Sequence, residues 1–184
     1  MKKKCALVIG GTGMLKNVSL WLANNQYEVL IVSRQRKKFE SVKENALYPE
    51  NLHPILVDYH DDQQLTKKLT SAFHTYGYPE IVVSWIHSTA PNALPTIIHL
   101  IESRGFSIPW YLFHIQGSAT YLKKEKAPVP DTCRYRRIYL GFVIENGHSR
   151  WLSHDEISQG TITAIKSDQK ETVIGTLEPW EMRP

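Results

Sequence analysis

Residues 6–15 read Ala-Leu-Val-Ile-Gly-Gly-Thr-Gly-Met-Leu, an apolar run that passes into closely spaced glycines. A helical pattern starts at once. Met14, Leu15, Val18, Trp21 and Leu22 fall at the i, i+3, i+4, i+7 spacing of one helix face. Between a strand and a helix, glycines permit backbone angles closed to other residues and let the main chain approach a ligand closely. The helix N-terminus adds unpaired N–H groups and partial positive charge. Such a turn is a seat for an anion, and in this strand–turn–helix context it points to the pyrophosphate of a dinucleotide. Gly10, Gly11, Thr12, Gly13, Met14 and Leu15 are the residues assigned to it.

The rest of the chain alternates in the same way. Strands are expected at 4–9, 28–33, 53–58, 81–86, 109–115, 137–144 and 172–177. Helical patterns lie between them. One runs to about Asn25 and a second covers 35–46. A third is capped by Asp61 or Asp62, and a fourth is capped by Asn92 with Pro95 in its first turn. The last opens on the capping box Ser153-His-Asp-Glu156. Residues 117–133 show no periodic face and read as a loop. Parallel strands require crossover helices, so the pattern predicts a doubly wound, mostly parallel α/β sheet of about seven strands, Rossmann-like, in a single domain over residues 1–184.

Composition narrows the function classes. The chain has 184 residues, 42% of them hydrophobic and 22% charged, enough for one core. The net charge of +4 is modest, and apart from clusters at 1–4, 34–38 and 134–137 the basic residues are dispersed. With no helix-turn-helix pattern or zinc spacing, nucleic acid is not an expected partner. No apolar run approaches a membrane span, and the run at 5–9 is too short for a signal sequence. Cys5, read as a buried strand residue, and Cys133, read as a loop residue, form no CxxC and suit the reduced cytoplasm. The eight histidines include no HExxH spacing, so no metal site is expected. There is no GxSxG.

In a doubly wound sheet, ligands bind where the strands end. A carboxylate about 20 residues past the glycines commonly holds a ribose 2′-hydroxyl. Ser33 stands there, followed by Arg34, with Arg36, Lys37 and Lys38 close behind. A serine donor and an always-charged guanidinium suit a 2′-phosphate, so NADP is the expected cofactor, with Lys37 adding field. Asp58 and Tyr59 follow the third strand. Asp58 either accepts from an adenine amino group or caps the next helix. Trp85 and Ile86 end the fourth strand as packing or adenosine-side wall. His87 and Ser118, at the ends of the fourth and fifth strands, are the candidate catalytic groups.

Ile9-Gly-Gly-Thr-Gly-Met-Leu15, Ser33-Arg34, Val57-Asp58 and Phe113-His-Ile-Gln-Gly-Ser-Ala119 together resemble an atypical, shortened short-chain dehydrogenase/reductase. The resemblance runs from the first strand to the last. It implies an NADP-dependent reductase acting on a small carbonyl or imine compound, or else a non-catalytic NADP-binding redox sensor or regulatory protein. The chain departs from that family in three places. Ile9 replaces a threonine and Lys16 replaces the last glycine of the TGxxGxxG pattern. The family's YxxxK acid–lysine pair is also missing, since none of the nine tyrosines has a lysine four residues on; Tyr121 is followed by Glu125 and Tyr135 by Tyr139. Tyr121 and Tyr135 are further proton-donor candidates from the loop. Trp180 and Met182 in the tail are expected to pack on their own sheet edge or on a second subunit of a homo-oligomer.

Overall fold

The computed structural model describes residues 4–105, 108–124 and 126–184. Residues 1–3 of the basic start lie outside these, as does Glu125. Strands form in the order β1 (Cys5–Ile9), β2 (Glu28–Ser33), β3 (Leu52–Leu56), β4 (Ile81–Ser84), β5 (Trp110–Gly117), β6 (Cys133–Leu140), β7 (Phe142–Glu145), β8 (His148–Trp151) and β9 (Glu171–Ile174). The helices are α1 (Lys16–Asn24), α2 (Arg36–Lys43), α3 (Asp62–Tyr76), α4 (Ala93–Glu102), α5 (Ser118–Lys123) and α6 (His154–Ser167).

Seven strands make one sheet in the order β3-β2-β1-β4-β5-β6-β9, and every ladder in it is parallel. The central strand β1 is buried on both faces, which is why it reads as unbroken apolar sequence. Leu7 and Ile9 join the core under α3 and α4. Ala6 and Val8 join the core under α1, α2 and α6. Each fully buried leucine or isoleucine contributes roughly 1.5–3 kcal/mol relative to exposure. The strand order reverses between β1 and β4, so the crevice past their C-terminal ends is where such a sheet receives a ligand. Among the described residues no helix is long and apolar enough to cross a membrane.

Three sequence expectations are corrected. The apolar run at 137–144 is not one strand. β6 starts earlier, at Cys133, and the chain breaks at Gly141. Phe142–Glu145 then pairs antiparallel with β8 across the turn at Asn146-Gly147, in a separate two-stranded sheet. Cys133 is therefore a buried strand residue, and burial pushes its thiol up to about 12. Residues 118–123 form the short helix α5 where a loop was expected. Asn92 sits at the start of α4 without capping it, because its side-chain amide donates instead to Asp62 Oδ2 at 2.9 Å.

The hairpin is anchored to α6. Arg150 donates to Glu145 Oε1 at 2.7 Å and to Glu156 Oε2 at 2.9 Å. Glu156 also completes the capping box, accepting from Ser153 N–H at 2.8 Å while Ser153 Oγ accepts from Glu156 N–H at 3.2 Å. The Arg150 hydrogen bond, with that from Ser153, brings the Glu156 carboxyl down to about 2. Ser153→Ala is expected to cost about 1 kcal/mol, read as a shift of the urea midpoint without a change in slope. An unshifted midpoint would mean the cap is idle.

Candidate functional site

The turn after β1 is built as an anion seat. Gly10 has φ +92°, a conformation that favours glycine. Its carbonyl accepts from the N–H groups of Gly13 at 3.1 Å and Leu15 at 3.2 Å. That leaves the N–H groups of Thr12 and Met14 without a backbone acceptor among the described residues, and both residues line the cleft. α1 starts at Lys16 with no acidic residue in its own first turn, though Asp155 of α6 meets that turn through the Asn17 amide, which donates to Asp155 Oδ1 at 2.8 Å. Gly11 and Leu15 do not line the cleft. Leu15 is fully buried in the core. Gly11 serves packing, because a Cβ there would lie 2.5 Å from Ser19 Oγ and 3.0 Å from Val8 Cγ1. The close helix–sheet approach is therefore made at Gly11 against Ser19, whose hydroxyl donates back to the Gly11 carbonyl at 3.1 Å, and Lys16 is not needed for it.

The cleft itself encloses about 270 Å³ between this turn and the ends of β2, β3 and β4. Gly10, Thr12, Gly13, Met14, Ser33, Arg34, Tyr59, Trp85 and His87 all line it, so the structure brings most of the expected residues together. Lys37 does not reach it. Lys38 does, one position further round the first turn of α2, whereas Arg36 turns to Glu40 at 3.6 Å. The Ser33 hydroxyl is already engaged, donating to the Gln35 carbonyl at 3.1 Å. Arg34 lies 4.0 Å from Asp58 Oδ2, both side chains being about half exposed or more. Such a pair is worth about 0–1 kcal/mol, so the guanidinium gives up little by turning to a phosphate.

Asp58 does not line the cleft, and it does not cap α3. Asp61 is the cap, accepting from Gln64 N–H at 3.0 Å. Asp58 instead accepts from His60 N–H at 3.0 Å and pairs with His60 Nδ1 at 2.6 Å, and these bonds hold its carboxyl below the usual range. His60 Nε2 reaches Thr89 Oγ1 at 2.9 Å, tying the loops after β3 and β4 together. Tyr59 stacks on His60 and presents its edge to the cleft wall. Ile86 turns into the core under α3 and α4.

A second cavity of about 300 Å³ lies past the ends of β4, β5 and β6. Trp85 lines both cavities and walls one from the other. Ser118, only 3% exposed, lines the second together with Gly141 and Trp151 of the hairpin. His87 belongs to the first and is exposed, so the two candidate catalytic groups stand on opposite sides of the indole. Neither loop tyrosine joins them. Tyr121 packs edge-on against Tyr139, outside both cavities. Tyr135 is half-buried with its hydroxyl 2.8 Å from His114 Nδ1, and partial burial raises its pKa.

No protein-family model matches the sequence, and no curated protein matches it. Solved structures do match its shape. YwfH, an NADPH-dependent reductase involved in bacilysin biosynthesis, superposes with a TM-score of 0.68 at 14% identity over 95% of this chain and 100% of that one. A short-chain dehydrogenase from Novosphingobium aromaticivorans gives 0.68 at 11% identity, over 97% and 83%. A short-chain dehydrogenase/reductase family oxidoreductase from Aeromonas hydrophila gives 0.65 at 12%, over 94% and 98%. The chain has the fold of the short-chain dehydrogenases/reductases. At these identities the likeness is one of fold, and the chemistry rests on the residues in the two cavities.

Sequence reasoning missed several of those residues. Val32 lines the first cavity as a strand-end apolar residue with no distinguishing signal, and Val57, noted only as part of the Val57-Asp58 pair, lines it too. His154 reaches it from the first turn of α6, which sits beside the glycine turn through a bond from Ser158 Oγ to the Met14 carbonyl at 2.8 Å. The capping box fixes where α6 begins, but nothing in the sequence says that this helix end abuts the glycine turn.

Proposed function

We propose that the chain binds NADP(H) with its adenosine and pyrophosphate in the first cavity and its nicotinamide reaching past Trp85 into the second, and reduces a small carbonyl or imine compound held there. The observation that carries this reading is one cleft lined by the glycine turn, by Arg34 and Lys38 past β2 and by Trp85 past β4, with a largely apolar cavity adjoining it at that indole. The residues present suit the group. Two unpaired N–H groups and a helix N-terminus can hold a pyrophosphate, and a guanidinium and an ammonium can hold a 2′-phosphate. NADPH, when bound, supplies a hydride from its nicotinamide. The chain's own part is to bind, orient and exclude water. Ser118 Oγ is placed to donate a hydrogen bond to a carbonyl oxygen as charge develops on it, a stabilising role that needs no acidic pKa. With no tyrosine–lysine pair, the proton itself comes from solvent or from a group relayed through that hydroxyl.

Cofactor choice tests the reading directly. A hydrogen bond to a charged group is worth roughly 1.5–3 kcal/mol, and a factor of ten corresponds to about 1.4 kcal/mol. NADPH is therefore expected to bind at least about tenfold more tightly than NADH in titration calorimetry. Arg34→Ala and Lys38→Ala are each expected to weaken NADPH much more than NADH, and rising salt should erode the preference because both side chains are exposed. Equal affinities, or a preference for NADH, would remove the assignment of the β2 end.

A further inference from the structure

The second cavity is largely apolar, apart from the Ser118 hydroxyl and one charge. Its walls include Trp85, Leu140, Trp151, Leu152 and Ile157, and the single charged side chain among its lining residues is Arg183. This arginine comes from the tail, and the tail is fixed. Thr176 Oγ1 donates to the Glu178 carbonyl at 2.8 Å and accepts from Glu178 N–H at 3.1 Å. The 3₁₀ turn Trp180–Met182 is closed by Arg183 N–H on the Trp180 carbonyl at 3.1 Å. The guanidinium carbon then lies 5.2 Å from the centroid of the Trp151 ring and 5.2 Å from that of Trp180. No carboxylate among the described residues forms an ion pair with it.

This is an unusual place for an unpaired cation. Two indoles hold it through their negative ring faces, which restricts its rotamers without using its N–H donors. Guanidinium is weakly hydrated and its donors form a flat fork that matches a carboxylate. A charge already held in position loses little further entropy when an anion arrives. The cavity beside it lies at the small end of the range for ligand pockets.

We propose that the second cavity recognises a small carboxylic acid with a flat or branched apolar body, its carboxylate paired with Arg183 and its body against Trp85 and Ile157. Resting on the reductase reading, this makes the substrate an oxo acid. The hydride from NADPH forms the new C–H bond at the carbonyl carbon, the C=O π bond breaks, its oxygen takes a proton from solvent, and the products are the hydroxy acid and NADP⁺.

Acid recognition can be tested without turnover. Phenylacetate and its neutral isostere phenylacetamide are titrated into the protein, with and without saturating NADP⁺, following tryptophan fluorescence and heat. Phenylacetate is expected to bind at least about tenfold more tightly than the amide, by the same ~1.4 kcal/mol per decade. Arg183→Gln is expected to abolish that difference by weakening the acid alone, with NADPH affinity unchanged and only the small fall in thermal midpoint that loss of two exposed cation–π contacts brings. Arg183→Lys, which keeps the charge and loses the fork, should fall between. Equal binding of acid and amide in both nucleotide states, binding of neither, or a preference that survives Arg183→Gln overturns the proposal. The NADPH titration on the same samples separates the two ideas. Acid preference without NADPH binding sinks the reductase reading and leaves the acid site standing, and the reverse result sinks only the acid site.

Discussion

Gly141→Ala is expected to cost about 3 kcal/mol or more in urea unfolding, the upper end of what overpacking does. Gly141 is the single residue between β6 and β7, where the chain leaves the main sheet for the hairpin. A Cβ there would stand 2.1 Å from the Thr176 carbonyl oxygen, 2.7 Å from its carbon and 3.1 Å from the Ile174 oxygen. These are backbone atoms and cannot swing aside as a side chain would. They are also bonded in place. Gly141 N–H donates to Ile174 O, Phe142 N–H to Thr176 O and Thr176 N–H to Phe142 O, each at 2.9 Å. Making room for one methyl group therefore strains or breaks three hydrogen bonds, each worth about 0.5–1.5 kcal/mol net. Because Gly141 also lines the second cavity, ligand binding there should fail even in the fraction that folds. A loss below about 1 kcal/mol would show that the strand crossing has slack, against the range seen for overpacked sites.

The second large effect is an acid-side loss of stability that starts unusually early. His114 lies inside β5, half-buried, with Nδ1 2.8 Å from the Tyr135 hydroxyl. Burial disfavours its charged form and lowers its pKa from 6.5 to about 4. Between those two values the unfolded chain takes up a proton that the native chain refuses. Stability at this residue is therefore full above pH 6.5 and is lost as the pH falls toward 4, by about 3 kcal/mol in all at ~1.4 kcal/mol per pH unit. Carboxylates held low in the native state, such as Asp58 and Asp168, lose their contribution mainly at lower pH, as unfolded carboxyls begin to protonate. The window from pH 7 to 5 thus isolates the histidine. Urea unfolding across it should show a decline in the wild type that is much reduced in His114→Asn, which keeps a polar partner for Tyr135 and does not titrate. Parallel declines in the two proteins would assign the effect elsewhere.

The outcome for fold and site depended on what each residue competes with. β1 and β2 were legible to within a residue or so because unbroken apolar sequence is bounded there by glycines or asparagines, and α3 because one apolar face recurs between the capping Asp61 and Gly77. β6 was misplaced because its first half carries Arg134 and Arg136, which look like surface. In the sheet Arg136 donates to Asp168 Oδ1 at 2.6 Å, Arg137 pairs with Glu171, and Arg134 bonds the Tyr111 hydroxyl at 2.6 Å, so partners far along the chain make these positions tenable. α5 spans too few residues to show a period. In the site, the glycine turn, Arg34 and Trp85 follow from strand ends alone. The exchange of Lys37 for Lys38 turns on helix register, which a one-residue error in where α2 begins reverses. Arg183 carries no local signal, since its position depends on a hairpin and a tail meeting over the same cavity.

Trp85 forms a wall of both cavities. Moving this indole resizes both compartments at once. Any displacement of the indole that one occupant requires is a displacement the second must accommodate or find already made. Linkage makes that debt symmetrical: the factor by which the first occupant alters affinity for the second equals the factor by which the second alters affinity for the first. A single side chain with two wet faces thus converts neighbouring volumes into a coupled pair, with the sign of the coupling set by whether both occupants favour the same ring position.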